Sequence, residues 1–373
     1  MIYIILFIAA IFLAYSNGAN DNFKGVATLF GSGTTHYKRA IRWASSLTFL
    51  GSIASVFLAG ALIKNFSGKG LVPDALVQNP AFAISIAIGA GMTVLMASKM
   101  GMPISTTHSL VGAMLGSGIM AVGMGFNFTR LATIFLLPLI ASPLIAIVVS
   151  FLIYPLFKKI RLAFGISKES CLCAGSSLIP LSTCTRADGT LAFVPVEQFV
   201  VRIGTTQSCD EKYSGQLLGI SAQKVLDLAH YISSGLVSFT RGLNDTPKIV
   251  GLLLLIGLPD IRIALIVLAL AMAIGGLLNA REVGVTVSKK ITPMNPGQGF
   301  TANLITSVLV ATASVNGLPV STTHVSVGSI FGIGAITRKG DKKMIGHILM
   351  AWLLTLPIAA IFSGLVYLLI SAL

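Results

Sequence analysis

Apolar runs long enough to cross a bilayer recur along the whole chain. They fall roughly at 1–33, 43–63, 81–98, 104–124, 131–157, 217–257, 262–280, 298–316, 318–336 and 344–372. A hydrocarbon core of about 30 Å needs about 20 such residues in a helix rising about 1.5 Å per residue. The pattern therefore predicts an all-α integral membrane protein, a polytopic bundle of 10–12 transmembrane segments. Two runs, 1–33 and 217–257, exceed one crossing and have polar centres. A single long polar stretch, 158–216, separates a first membrane region, 1–157, from a second, 217–373.

Composition narrows the class. Apolar residues make up 54% of the 373 positions and charged residues 10%, against about 25% in a soluble domain. Mean hydropathy is +0.89. The net charge of +14 does not imply nucleic acid. Its lysines and arginines gather between apolar runs, as in Lys38-Arg39-Arg42, Lys158-Lys159-Arg161, Lys289-Lys290 and Arg338-Lys339-Lys342-Lys343. That is the positive-inside pattern of a multi-pass protein whose solvent is lipid. Counting crossings from a cytoplasmic 36–42 puts 158–216, 281–290 and 338–343 inside, with both termini and 64–79 outside. The apolar N-terminus lacks a basic leader and reads as the first membrane segment. Localisation to the cell membrane follows. A homo-oligomer is neither required nor excluded.

The chain also repeats itself. Gly18-Ala19-Asn20-Asp21-Asn22-Phe23-Lys24 returns as Gly242-Leu243-Asn244-Asp245-Thr246-Pro247-Lys248. Gly101-Met102-Pro103-Ile104-Ser105-Thr106-Thr107-His108 returns as Gly317-Leu318-Pro319-Val320-Ser321-Thr322-Thr323-His324. Each half holds an odd number of crossings, so the second enters from the opposite side. Such inverted-topology repeats build many secondary transporters, with the site at the repeat interface.

The duplicated residues carry the candidate chemistry. Asp21 and Asp245 lie inside apolar runs, where a carboxylate is costly unless paired or hydrated. The neighbouring glycines suit broken helices whose free backbone groups line a polar cavity. In the second motif, proline turns the preceding residue away from helix and a hydroxyl then caps a new one. The N-terminus of such a helix offers unpaired N–H groups and a positive dipole end to an anion. Ser105, Thr106, Thr107, Ser321, Thr322 and Thr323 add directional hydroxyls. Two such starts facing one another suit a tetrahedral oxyanion. Asp21, Asp245, His108 and His324 are the candidate cation- or proton-coupling groups.

The four cysteines, Cys171, Cys173, Cys184 and Cys209, all lie in 158–216. A cytoplasmic side disfavours disulfides, and the spacing fits no standard zinc pattern, so they are weak metal candidates. Alternating Val, Phe and Ile over Thr190–Thr206 suggests a short hairpin. No Walker motif is present, and no cofactor or enzymatic activity is implied.

With its duplicated Gly-x-Asn-Asp and Pro-x-Ser-Thr-Thr-His motifs, the sequence resembles the inorganic phosphate transporter (PiT) family over nearly the whole chain apart from 158–216. The resemblance implies a symporter carrying inorganic phosphate with a cation, and termini outside. It implies ligand and cation groups at Asn20, Asp21, Ser105, Thr106 and Thr107, and at Asn244, Asp245, Ser321, Thr322 and Thr323. One departure stands out. Lys24 and Lys248 occupy positions where the family usually has Asn. Each falls three residues after its Asp, on the same helical face. An ammonium has no acceptor, so it cannot ligate sodium; it can pair with the Asp or reach the anion. Between sodium and proton, this shifts the expected coupling ion toward the proton. The competing readings are a permease for another oxyanion such as sulfate, and a cation exchanger or channel. The twin hydroxyl-rich helix starts and the two lysines argue against the latter.

Overall fold

The computed structural model describes residues 1–164, 168–169, 173–185, 191–202, 212–213, 216–217, 220–256 and 261–372. Ten long helices organise the membrane region: α1 Ile2–Asp21, α2 Tyr37–Leu58, α3 Pro80–Lys99, α4 Thr106–Val122, α5 Leu137–Ala163, α6 Ala222–Val250, α7 Ile261–Asn279, α8 Pro296–Val315, α9 Thr322–Thr337 and α10 Lys342–Ser371. Among the described residues, eight helical segments are long and apolar enough to cross a membrane. Two of the ten fall outside that group. One is α6, interrupted by Arg241, Asn244, Asp245 and Lys248, and the other is α9, with only 16 residues.

Local chemistry sets where these helices begin. Asn79 accepts from the Ala81 N–H ahead of Pro80 in α3. Asn295 and Gln298 form a reciprocal capping box ahead of α8, and Asp341 accepts from Lys343 and Met344 N–H at the start of α10. Each satisfies amides that a first turn leaves without partners.

The two long runs break at different places. After α1 the chain tightens into a 3-10 turn, Asn22–Val26, and resumes as a short helix, Ala27–Gly31. In the second copy α6 runs unbroken through Asn244, Asp245 and Pro247, and turns 3-10 only at Gly251–Ile256. The second break begins at a glycine, Gly251, whereas the first begins at Asn22, ahead of Gly25. Glycine is the weak point of a helix interior.

Two compact units partition the chain: 1–158 with 226–373, and 159–225. In the second, β1 Cys173–Thr185 pairs antiparallel with β2 Leu191–Arg202. Of the alternating segment expected to form a hairpin, Leu191–Arg202 is a single strand, with no turn residue other than Pro195 within it, and the rest lies outside the described residues.

Within the membrane unit, α1 packs on α3 and α7, α10 on α3 and α4, α7 on α2, and α8 on α9. Gly18 and Gly242 show how close these crossings are. A Cβ on Gly18 would lie 1.9 Å from the Met272 carbonyl oxygen, and one on Gly242 2.0 Å from that of Thr48. Backbones touch there without side chains between them, as in other small-residue membrane contacts. Leu13 and Ala14 belong to one apolar core cluster and Phe23 and Val26 to another. The residues separating them along α1 include Ser16, Asn17, Asn20 and Asp21, all buried. Leu144, Val148 and Leu152 of α5 and Leu349, Leu353 and Leu369 of α10 are exposed, as lipid-facing positions should be.

Candidate functional site

Two helix starts and two lysine–aspartate pairs converge on one buried polar centre. Ser105 leaves the helical region at φ −101°, ψ 117°, and its hydroxyl oxygen accepts from His108 N–H at 3.1 Å. Ser321 repeats this at φ −97°, ψ 118°, accepting from His324 N–H at 3.2 Å. Both motifs therefore cap a helix as the sequence predicts. The amides of Thr106, Thr107, Thr322 and Thr323 lie in first turns, where the helix provides no acceptor.

The lysines bind across the repeat. Lys24 pairs with Asp21 and donates to Asn20 Oδ1 at 2.6 Å, to the Ile104 carbonyl at 2.7 Å and to Thr323 Oγ1 at 2.8 Å. Lys248 donates to Asp245 Oδ1 at 3.1 Å, to the Val320 carbonyl at 2.9 Å and to Thr107 Oγ1 at 2.7 Å. Each ammonium thus joins its own Asp and the carbonyl of its own half to a threonine of the other half. Thr106 donates to Asp21 Oδ2 at 3.0 Å, and Thr322 donates to Asp245 Oδ2 at 3.4 Å. None of the twelve expected binding side chains is more than 4% exposed, so the centre is closed to solvent.

Four participants escaped the sequence reading. Asn17 donates to Asp21 Oδ2 at 3.2 Å and to Thr106 at 3.0 Å. Ser98 accepts from Asn20 at 3.0 Å, and Ser314 donates to Asn244 at 3.1 Å, again at matching places in the two halves. Arg241 is fully buried with Nη1 3.7 Å from Asp21 Oδ1. Aligning the repeats would have found it, since Arg241 precedes Asp245 by the four residues that separate Asn17 from Asp21.

Comparison with known proteins fits this geometry. The profile of the phosphate transporter family matches residues 17–363. The chain belongs to that family. Its similar relatives include a Pyrococcus horikoshii protein named "Putative phosphate permease", 27% identical over 95% of this chain and 94% of that one. The Arabidopsis thaliana chloroplastic inorganic phosphate transporter 2-1 is 25% identical over 94% of this chain and 69% of that one. A solved structure of the sodium-dependent phosphate transporter shares the fold with a TM-score of 0.76 at 24% identity, covering 100% of this chain and 99% of that one. The family is one of transporters, not of enzymes.

Not every expected site residue of this phosphate transporter family member joins the polar centre. His108 and His324 face each other, ring centroids 4.6 Å apart, and His324 stacks on Trp352 at 3.8 Å. Both border an apolar cavity of about 480 Å³ with Leu139, Pro143 and Ile348. His324 Nδ1 lies 3.3 Å from the Leu139 carbonyl, while His108 Nδ1 and His324 Nε2 have no hydrogen-bond partner. Cys171 and Cys209 lie outside the described residues, as do the side chains of Cys173 and Cys184. Among the described residues no cluster of His, Cys, Asp and Glu could hold a metal ion.

Proposed function

We propose that this protein is a secondary transporter carrying inorganic phosphate in symport with a cation, through a site shared by two halves of opposite orientation. The observation that carries the reading is the reciprocal exchange of lysines, Lys24 to Thr323 and Lys248 to Thr107, around two serine-capped helix starts. First-turn amides of both helices supply donors to a tetrahedral oxyanion, and the threonine hydroxyls, which donate to Asp21, Asp245, Val320 and Ile104 in this state, can turn to it when those acceptors are released. Asp21 and Asp245 supply acceptors, which suit phosphate because it keeps a P–OH proton near neutral pH. The names of the relatives support phosphate as the substrate. Burial of every ligand supports an occluded state between outward and inward openings.

The coupling cation in this reading is the proton. Lys24 already fills a cage of four oxygens, from Asn20, Asp21, Ile104 and Thr323, and Lys248 one of three. A tethered ammonium there leaves no room for sodium. Asp21, Asp245 and the two histidines are the groups that could carry a proton. The charge pattern supports cytoplasmic 36–42, 158–216, 281–290 and 338–343.

Uptake of labelled phosphate into proteoliposomes, with sodium and proton gradients imposed separately, tests both parts. Accumulation driven by the proton gradient alone is expected. Accumulation driven by sodium with the proton gradient collapsed would overturn the coupling. Uptake of sulfate but not phosphate would overturn the substrate.

A further inference from the structure

Arg241 is a large buried cation held by one long ion pair and no hydrogen bond. It is 0% exposed, and its Nε, Nη1 and Nη2 all lack a hydrogen-bond partner. The nearest carboxylate oxygen, Asp21 Oδ1, is 3.7 Å away, beyond hydrogen-bond reach, and already accepts from Lys24. Membrane-buried guanidinium groups are held by partners because an unpaired one is strongly unfavourable. The other four charges at the centre are satisfied pairwise, Lys24 with Asp21 and Lys248 with Asp245. Arg241 therefore leaves the centre with one formal positive charge and five N–H donors in a fixed fork.

The two halves differ at this place. In the first half the matching residue is Asn17, a neutral amide that donates to Asp21 and Thr106 within its own half. Arg241 instead makes its ion pair with the Asp21 of the other half, Nη1 to Oδ1 3.7 Å. Its Nη1 thus lies beside the carboxylate that Lys24 and Thr106 also bind, at the centre shared by both helix starts.

We propose that Arg241 is the residue that anchors the transported tetrahedral oxyanion, by a bidentate guanidinium contact, from one side of an otherwise two-fold site. The inference rests on the reading of the protein as an oxyanion transporter. Bidentate pairing to phosphate or sulfate is what the guanidinium geometry does best and what an ammonium cannot reproduce.

Equilibrium binding to the purified full-length protein tests it, with labelled phosphate and labelled sulfate as separate probes. The wild type is compared with Arg241→Gln and Arg241→Lys, and ligand-free melting midpoints confirm folding. Arg241→Gln is expected to weaken anion binding at least about tenfold. Arg241→Lys keeps the charge and loses the fork, and should fall between the two. In proteoliposomes, where transport opens the closed centre, modification of wild-type Arg241 by phenylglyoxal, read by peptide mapping, should be slowed by saturating anion, which a merely structural arginine would not show. This measurement also decides the case if Arg241→Gln does not fold. Phosphate binding by the wild type that survives Arg241→Gln within about twofold, or no protection from phenylglyoxal, overturns the inference and leaves the phosphate reading intact. Arg241-dependent binding of sulfate alone overturns the phosphate reading and upholds the inference. Binding of neither anion by the wild type overturns both.

Discussion

Removing the Lys248 ammonium should cost more than removing its pair. In Lys248→Met, Asp245 stays buried with its Oδ1 stripped of an ammonium 3.1 Å away, and Thr107 and Val320 each lose a donor. At that distance and an effective dielectric constant of about 20, the Coulomb attraction is about 5 kcal/mol. Desolvation of both ions offsets much of it, but only while both are present. Leaving one buried charge alone costs about 3–5 kcal/mol, a large part of a total stability of about 5–15 kcal/mol. Lys248→Met/Asp245→Asn removes both charges and should recover about 1–3 kcal/mol relative to the sum of the single variants. The assay is denaturant unfolding in detergent micelles, followed by tryptophan fluorescence, for all four members of the cycle. Additive effects, with no recovery in the double variant, would refute the claim that the two side chains act as a pair.

Asp21→Asn and Asp245→Asn should each abolish phosphate uptake into proteoliposomes while the proteins still insert, since both carboxylates bind a lysine at the shared centre. Gly18→Ala would drive a Cβ to 1.9 Å from the Met272 carbonyl oxygen and should lower stability by at least about 1–3 kcal/mol. Gly346→Ala, exposed in α10 with nothing within 4 Å of the added methyl, should raise stability by about 0.5–1 kcal/mol; unfolding midpoints of the two variants check both. Replacing Cys171, Cys173, Cys184 and Cys209 with Ser should leave uptake unchanged in a metal-free reconstituted system.

The polar centre was legible where it was duplicated. A carboxylate inside an apolar run is conspicuous, and a second at the matching place makes coincidence a poor account of both. The spacing of three residues put Lys24 beside Asp21 and Lys248 beside Asp245, and the structure forms both pairs. That each lysine also crosses to the opposite half was not legible, because sequence spacing carries no information about contacts between residues 299 or 141 positions apart. Arg241 escaped for the converse reason: its counterpart is Asn17, so residue identity does not repeat there, and only the shared four-residue offset from Asp21 and Asp245 marks the place. The histidines share the duplicated motif yet turn toward Trp352 and an apolar cavity; residues two apart on a helix point to different faces. The end of α6 followed the position of Gly251 rather than that of the motif.

The reciprocal lysine contacts have the form of an isologous interface, in which residue i of one partner meets j of the other and j meets i. Two identical subunits arranged that way must place every side chain at the interface twice. Such a dimer would carry a guanidinium at both positions or at neither, and its formal charge could only be even. Joining the halves in one polypeptide lifts that parity rule. The chain can keep a paired set of lysines, aspartates and threonines while holding Asn17 on one side and Arg241 on the other. An odd charge at the centre of a nearly reciprocal set of contacts is open to a fused chain and closed to a symmetric dimer of its halves.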